Sequence, residues 1–191
     1  NRVAVTAEHA NVWRAAGINR VSLGVQSFDD AMLRWMHRSH DAAQARVALR
    51  VLRDAGITNV SVDLIFATPG TIARSWRRDL DAVLTLEVPH VSVYGLTVES
   101  HTPLGRWVGR NDVEEAPEER FEQEFVQAHA ALVGAGFEHY EVSNYGKPGM
   151  HSRHNWAYWT RNPYAGLGPS APEFDGATRR WNIAPYVEWA R

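Results

Sequence analysis

A short recurring unit constrains this chain more than any other feature. Ala16-Gly17-Ile18 followed by Val21-Ser22-Leu23 returns as Ala55-Gly56-Ile57 followed by Val60-Ser61-Val62, and the tail of the pattern returns again as Val91-Ser92-Val93. A glycine just past a helix supplies the left-handed backbone that closes many helices, and the β-branched run after it suits a buried strand. The segments between the strands have helical periodicity. From Asp41 to Ala55, the residues Val47, Val51, Leu52 and Ala55 are expected on one face, with Asp41 at the cap and Gln44 completing a capping box. From Thr71 to Glu87, the residues Trp76, Leu80, Val83 and Leu84 repeat the spacing, and Pro89 blocks continuation. Strands alternating with such helices predict right-handed crossovers and a parallel α/β sheet, either a barrel or an open doubly wound one.

Beyond this the texture changes. Ser100 to Pro117 reads as a loop rich in charge and turn formers. A helix opened by Pro117 follows, with Phe121, Phe125, Ala128 and Leu132 on one face and an end at Gly134-Ala135-Gly136. Phe137 to Ser143 alternates like a strand, and Asn144 to Gly149 carries turn chemistry. From His151 to Asn182 the chain mixes Trp, His and Arg with little periodicity. It starts at Asn1 and stops within an amphipathic pattern at Arg191, so it reads as an interior piece of a longer chain. Divisions are expected at 1–100, 101–136 and 137–191.

Composition narrows the function classes. With 20 Lys+Arg against 22 Asp+Glu, a net charge of -2 carries no basic footprint for nucleic acid or an anionic lipid surface. No apolar run approaches the roughly 20 residues of a membrane span, so a cytoplasmic protein is expected. Zero Cys rules out a disulfide, a thiolate-bound metal and a cysteine nucleophile within these residues.

Parallel α/β architectures place ligands at the carboxyl ends of their strands. The polar residues there are Gln26, Asp63, Thr97 and Glu99. Asp63 among Val62, Leu64 and Ile65 needs donors if buried, and ribose hydroxyls or a guanidinium such as that of Arg38, in the helix after the first strand, would serve. A buried structural acid is the other reading. His154, with Tyr158 and Trp159, offers an imidazole and flat apolar walls suited to haem iron and its macrocycle, or simply an aromatic cluster that packs a loop. His151, three residues before His154, would share its face on a helix. Gly166-Leu167-Gly168 is a weak anion-loop signal. Arg74, Arg77 and Arg78, and the acidic run from Glu114 to Glu124, read as solvated faces.

Ser22-Leu23-Gly24-Val25-Gln26-Ser27-Phe28, then Arg38, then Val62-Asp63-Leu64-Ile65-Phe66 with Thr68-Pro69-Gly70, resemble the second half of the radical S-adenosylmethionine barrel in the oxygen-independent coproporphyrinogen III oxidase superfamily. Tyr140-Glu141-Val142-Ser143-Asn144-Tyr145, Arg153-His154-Asn155 with Tyr158-Trp159, and Tyr164-x-Gly166-Leu167-Gly168-x-Ser170-Ala171 resemble its haem-chaperone branch. The resemblance implies the C-terminal half of a partial (β/α)6 TIM-like barrel plus part of a C-terminal accessory domain. It implies S-adenosylmethionine with its ribose at Gln26 and Asp63, its methionyl end at Arg38 and its adenine at Thr97, haem at His154, and haem-accepting proteins as partners. A [4Fe-4S] cluster is implied too, although the family's three-cysteine motif is absent here. The family also contains the oxidase, which decarboxylates coproporphyrinogen propionates. An unrelated α/β-barrel enzyme using Asp63 or Glu99 as acid or base is a third reading.

Overall fold

Three helix-to-strand passages build the core of the molecule. The computed structural model describes residues 5–70 and 73–190. These fall into two compact units, residues 1–151 and 152–191.

In the first unit, α1 (Ala7–Ala15) is capped by the Thr6 hydroxyl and leads through Gly17 into β1 (Arg20–Gln26). Gly17 and Gly56 both adopt positive φ, at 87° and 80°, and in both places the following isoleucine amide bonds back into the last helical turn. A short helix, α2 (Asp30–Trp35), precedes α3 (Ala42–Asp54), whose Asp41–Gln44 capping box forms as expected. Ala45, Leu49 and Leu52 turn inward, whereas Val47, expected on the same face as Leu52, is exposed. β2 (Asn59–Phe66) follows. Then comes α4 (Trp76–Leu84), which starts where the Ser75 hydroxyl caps it; the expected start at Thr71 lies outside the described residues. The passage into β3 (His90–Gly95) has no glycine, and Glu87 takes the left-handed conformation instead, at φ 51°.

The expected loop from Ser100 to Pro117 contains a helix, α5 (Pro103–Gly109). The Thr102 hydroxyl accepts from the Gly105 amide and Pro103 occupies the first turn, where its missing N–H costs nothing. The longest helix, α6 (Glu118–Gly134), starts just after Pro117 and buries Ala128 and Leu132. Strand β4 (Glu138–His139) is shorter than the alternation predicts, and the expected turn supplies β5 (Asn144–Gly146). Pairing with strands on both sides outweighs the turn preference of Asn and Gly there: β5 lies antiparallel between β3 and β4. The sheet order is β1-β2-β3-β5-β4, with β1, β2 and β3 parallel. This is the α/β class expected.

Parallel strands sandwiched between helices are usually apolar throughout. Here they alternate. Val60, Val62, Leu64 and Phe66 of β2, with Val91 and Val93 of β3, are buried in one core with Leu49, Leu52, Leu80, Val83 and Leu132 of the helices. The opposite face is polar, as described below.

The second unit, by itself, holds α7 (Arg153–Trp159), the hairpin of β6 (Pro172–Phe174) and β7 (Arg179–Trp181), and α8 (Tyr186–Trp189). The Asn182 side-chain amide donates to the carbonyls of Gly166 and Gly168, at 3.0 and 2.9 Å, so the Gly-x-Gly loop is held through its carbonyl oxygens. Among the described residues, no helix is long and apolar enough to cross a membrane.

Candidate functional site

Strand register places the polar residues on a common face. Ser22 of β1 stands opposite Ser61 of β2, Ser61 opposite His90 of β3, Asp63 opposite Ser92, and Ser92 opposite Asn144 of β5. Cross-strand partners share a face, so these side chains form a continuous polar layer.

Asp63 sits within this layer. Its Oδ1 accepts from the Ser22 hydroxyl at 2.8 Å and lies 3.5 Å from the Ser61 hydroxyl. Burial raises its pKa, while hydrogen bonds from Ser22, Ser92 and Ser61 and the charge of Arg20 oppose that rise. Arg20, itself bonded to Asn59 at 2.9 Å, is the cation that acts on Asp63. The expectation that Arg38 would do so is corrected. Arg38 lies in the exposed loop between α2 and α3, beyond the end of the helix in which it was expected.

The layer continues around His90, which is fully buried. Its Nδ1 lies 2.7 Å from the Ser61 hydroxyl and its Nε2 2.7 Å from the Tyr140 hydroxyl. Burial, then the charges of Arg20 and His151, push its pKa down to about 3, so the ring is neutral at ordinary pH. The Ser92 hydroxyl donates to Asn144 Oδ1 at 2.6 Å. None of Ser22, Ser61, His90, Ser92 and Asn144 was singled out in the sequence as a site residue. The signal that could have found them is the alternation itself, Val-Ser-Val-Asp in β2 against His-Val-Ser-Val in β3.

Gln26 closes β1 with an irregularity. Pairing shifts between Leu23 and Gln26, and Gln26 has φ 69° with the Ser27 amide bonded to the Val25 carbonyl, a tight γ-turn. A Cβ on Gly24 would stand 2.7 Å from Gln26 Nε2, so the amide lies over the bare backbone of Gly24. Thr97, just past β3, is exposed and lines a cavity of about 290 Å³ with Ala67, Pro69, Leu96 and Phe121. Glu99 lies outside that lining and spends its carbonyl on capping Thr102.

Two residues assigned to solvent are buried. The Arg74 side chain is 1% exposed and bonds Asp79 at 2.8 Å, the Thr68 hydroxyl and the Ile65 carbonyl. It lies before the start of α4, which turns it inward to the ends of β2 rather than along an outer helix face. Glu124, near the middle of α6, accepts from the Ala67 amide at 2.6 Å and from Arg120 at 2.8 Å. Both partners draw it into the core.

In the second unit, His154 is exposed on α7 and meets Tyr158 edge-on at 4.7 Å; Tyr158 meets Tyr164 in the same way at 4.6 Å. Trp156 and Trp159 are also exposed. His151 lies outside α7, which starts only at Arg153, and its ring stacks on Tyr140 at 4.3 Å.

Residues 1–83 match the model of the radical SAM superfamily. Over that stretch the chain is similar to that superfamily. The chain is also similar to proteins named haem chaperone HemW: it is 35% identical over 178 residues to that of Lactococcus lactis, covering 93% of this chain and 47% of the relative. It is 39% identical to that of Mycobacterium tuberculosis, covering 89% and 44%. The chain thus spans about half the length of the curated relatives it matches. Coproporphyrinogen III oxidase (HemN) from Escherichia coli, described as a radical SAM enzyme, shares the fold at TM-score 0.74 and 19% identity over 96% of this chain and 45% of that one.

The superfamily implies S-adenosylmethionine and an iron–sulfur cluster. No cysteine is present to hold a cluster, so these residues do not fit one. Their chemistry fits the nucleoside part of S-adenosylmethionine: the Asp63 carboxylate within β2 and the Gln26 amide at the end of β1 could accept from and donate to sugar hydroxyls, and the Thr97 cavity combines Leu96 and Phe121 with the Thr97 hydroxyl and Glu115.

Proposed function

We propose that the full-length protein is a cytoplasmic haem chaperone built on a radical SAM barrel, binding haem and passing it to acceptor proteins. The observation that carries this reading is the similarity to HemW proteins, which extends through the His154 segment. In this reading Asp63 and Gln26 hold the ribose hydroxyls of S-adenosylmethionine, Thr97 meets its adenine and Arg38 its carboxylate. The Ser22 hydroxyl, donating to Asp63 Oδ1 at 2.8 Å, helps orient the carboxylate and leaves it lone pairs for the sugar. When bound, S-adenosylmethionine supplies a sulfonium centre open to reductive cleavage; the residues of this chain bind and orient it. Cluster ligands would come from outside these 191 residues. His154 presents its imidazole to haem iron beside the flat surfaces of Tyr158 and Trp159.

Binding of each ligand by the full-length protein separates the two sites. Asp63→Ala is expected to abolish S-adenosylmethionine binding and leave haem binding intact, and His154→Ala to do the reverse. Loss of both ligands in either variant would contradict two separate sites. A milder change tests the strand end. Gly24→Ala meets only the tip of a flexible side chain, so folding stability should move by less than about 0.5 kcal/mol. The displaced Gln26 amide should nevertheless weaken S-adenosylmethionine affinity about tenfold.

A further inference from the structure

Gln26 occupies a conformation that its own chemistry disfavours. A non-glycine residue at φ 69° costs on the order of 1–2 kcal/mol and persists only where the surroundings hold it. What holds it lies on another element. Immediately after the γ-turn, the Ser27 hydroxyl, fully buried, donates to Asp79 Oδ2 at 2.8 Å, and the Phe28 amide donates to Asp79 Oδ1 at 2.6 Å. The Ser27 oxygen also accepts from the Asp29 amide at 3.0 Å, tying the turn to the cap of α2.

Asp79 cannot move away. It lies in α4, 3% exposed, and Arg74 Nε pins its Oδ2 at 2.8 Å while the rest of the guanidinium grips Thr68 and Ile65 at the end of β2. The guanidinium also lies over the Trp76 ring, at 4.9 Å from its centre. One buried ion pair therefore joins the carboxyl ends of β1 and β2, the strands that carry Gln26 and Asp63.

We propose that Asp79, anchored by Arg74, is a positioning residue for S-adenosylmethionine: its carboxylate clasps the backbone after Gln26 and so holds the Gln26 amide over Gly24. This inference rests on the reading that Gln26 meets the nucleotide. Asp79 touches no ligand and acts through Ser27 and the Phe28 amide.

A double-mutant cycle on S-adenosylmethionine affinity, measured by equilibrium dialysis with the full-length protein, tests it. Ser27→Ala deletes one hydroxyl and leaves the Arg74–Asp79 pair in place, so it is the gentle variant; Asp79→Asn is the second. With Gln26 present, Ser27→Ala should weaken binding about fivefold or more; with Gln26→Ala, the same change should weaken it less than about twofold. A general loss of structure would weaken binding equally in both backgrounds, and that result would overturn the proposal. If Gln26→Ala alone leaves the affinity unchanged, the site reading itself fails and the positioning role falls with it.

Discussion

Arg74→Met should cost about 3–5 kcal/mol of folding stability, the largest effect expected of any single substitution in the ion-pair network. Methionine keeps much of the aliphatic volume but removes the charge. The Asp79 carboxylate would remain buried with only the Ser27 hydroxyl and the Phe28 amide as donors, while the Ile65 carbonyl and the Thr68 hydroxyl would each lose a donor. Breaking one side of a buried pair costs more than removing both, because the survivor keeps its desolvation penalty. Arg74→Met with Asp79→Asn is therefore expected to regain at least about 1 kcal/mol over Arg74→Met alone. Urea denaturation of the full-length proteins measures both. A loss below about 1 kcal/mol for Arg74→Met would show that the pair contributes little.

Acid should destabilise the fold through His90. Its folded pKa, near 3, lies below the ordinary value of 6.5, so between these values the unfolded chain binds the proton and the folded one does not. Stability is fully present above about pH 6.5 and is lost as pH falls toward 3. The loss expected between pH 7 and pH 5 is about 2 kcal/mol. The raised pKa of Asp63 works in the opposite direction, since its folded form takes up a proton more readily. His90→Gln keeps a polar side chain and removes the titration. Denaturation at the two pH values should show a drop in the wild type that is about 2 kcal/mol steeper than in His90→Gln. Equal drops would mean that His90 is protonated as easily in the fold as outside it.

The parts of the fold that local chemistry dictates were legible in the sequence. Gly17 and Gly56 stand where a left-handed residue closes a helix, and Asp41 with Gln44 forms a box whose atoms are only three residues apart. Elements set by distant partners were not. Asn144–Gly146 has the composition of a turn and becomes a strand because β3 and β4 flank it. Arg74 and Glu124 look like surface charge, but the Ile65 carbonyl near the end of β2 and the Ala67 amide just past it meet them in the core. The site divides in the same way. Gln26, Asp63 and Thr97 are candidates because such folds bind ligands at strand ends; Gln26 closes β1 and Thr97 lies just past β3, whereas Asp63 stands within β2, three residues before its end. Arg38 was one candidate donor for Asp63 from its expected place in the helix after β1; the loop after α2 carries it to the exposed surface, while Arg20 acts on Asp63 from the neighbouring strand. The Ser61–His90–Tyr140 chain needed strand register, which a repeat of Val-Ser-Val reveals only once the strands are aligned.

Haem titration of the full-length protein, followed by absorbance for the wild type and His154→Ala, tests the proposed function most directly. A stoichiometric Soret shift in the wild type that disappears in His154→Ala is the predicted result. No shift in the wild type, or an undiminished one in His154→Ala, would contradict haem carriage through this residue.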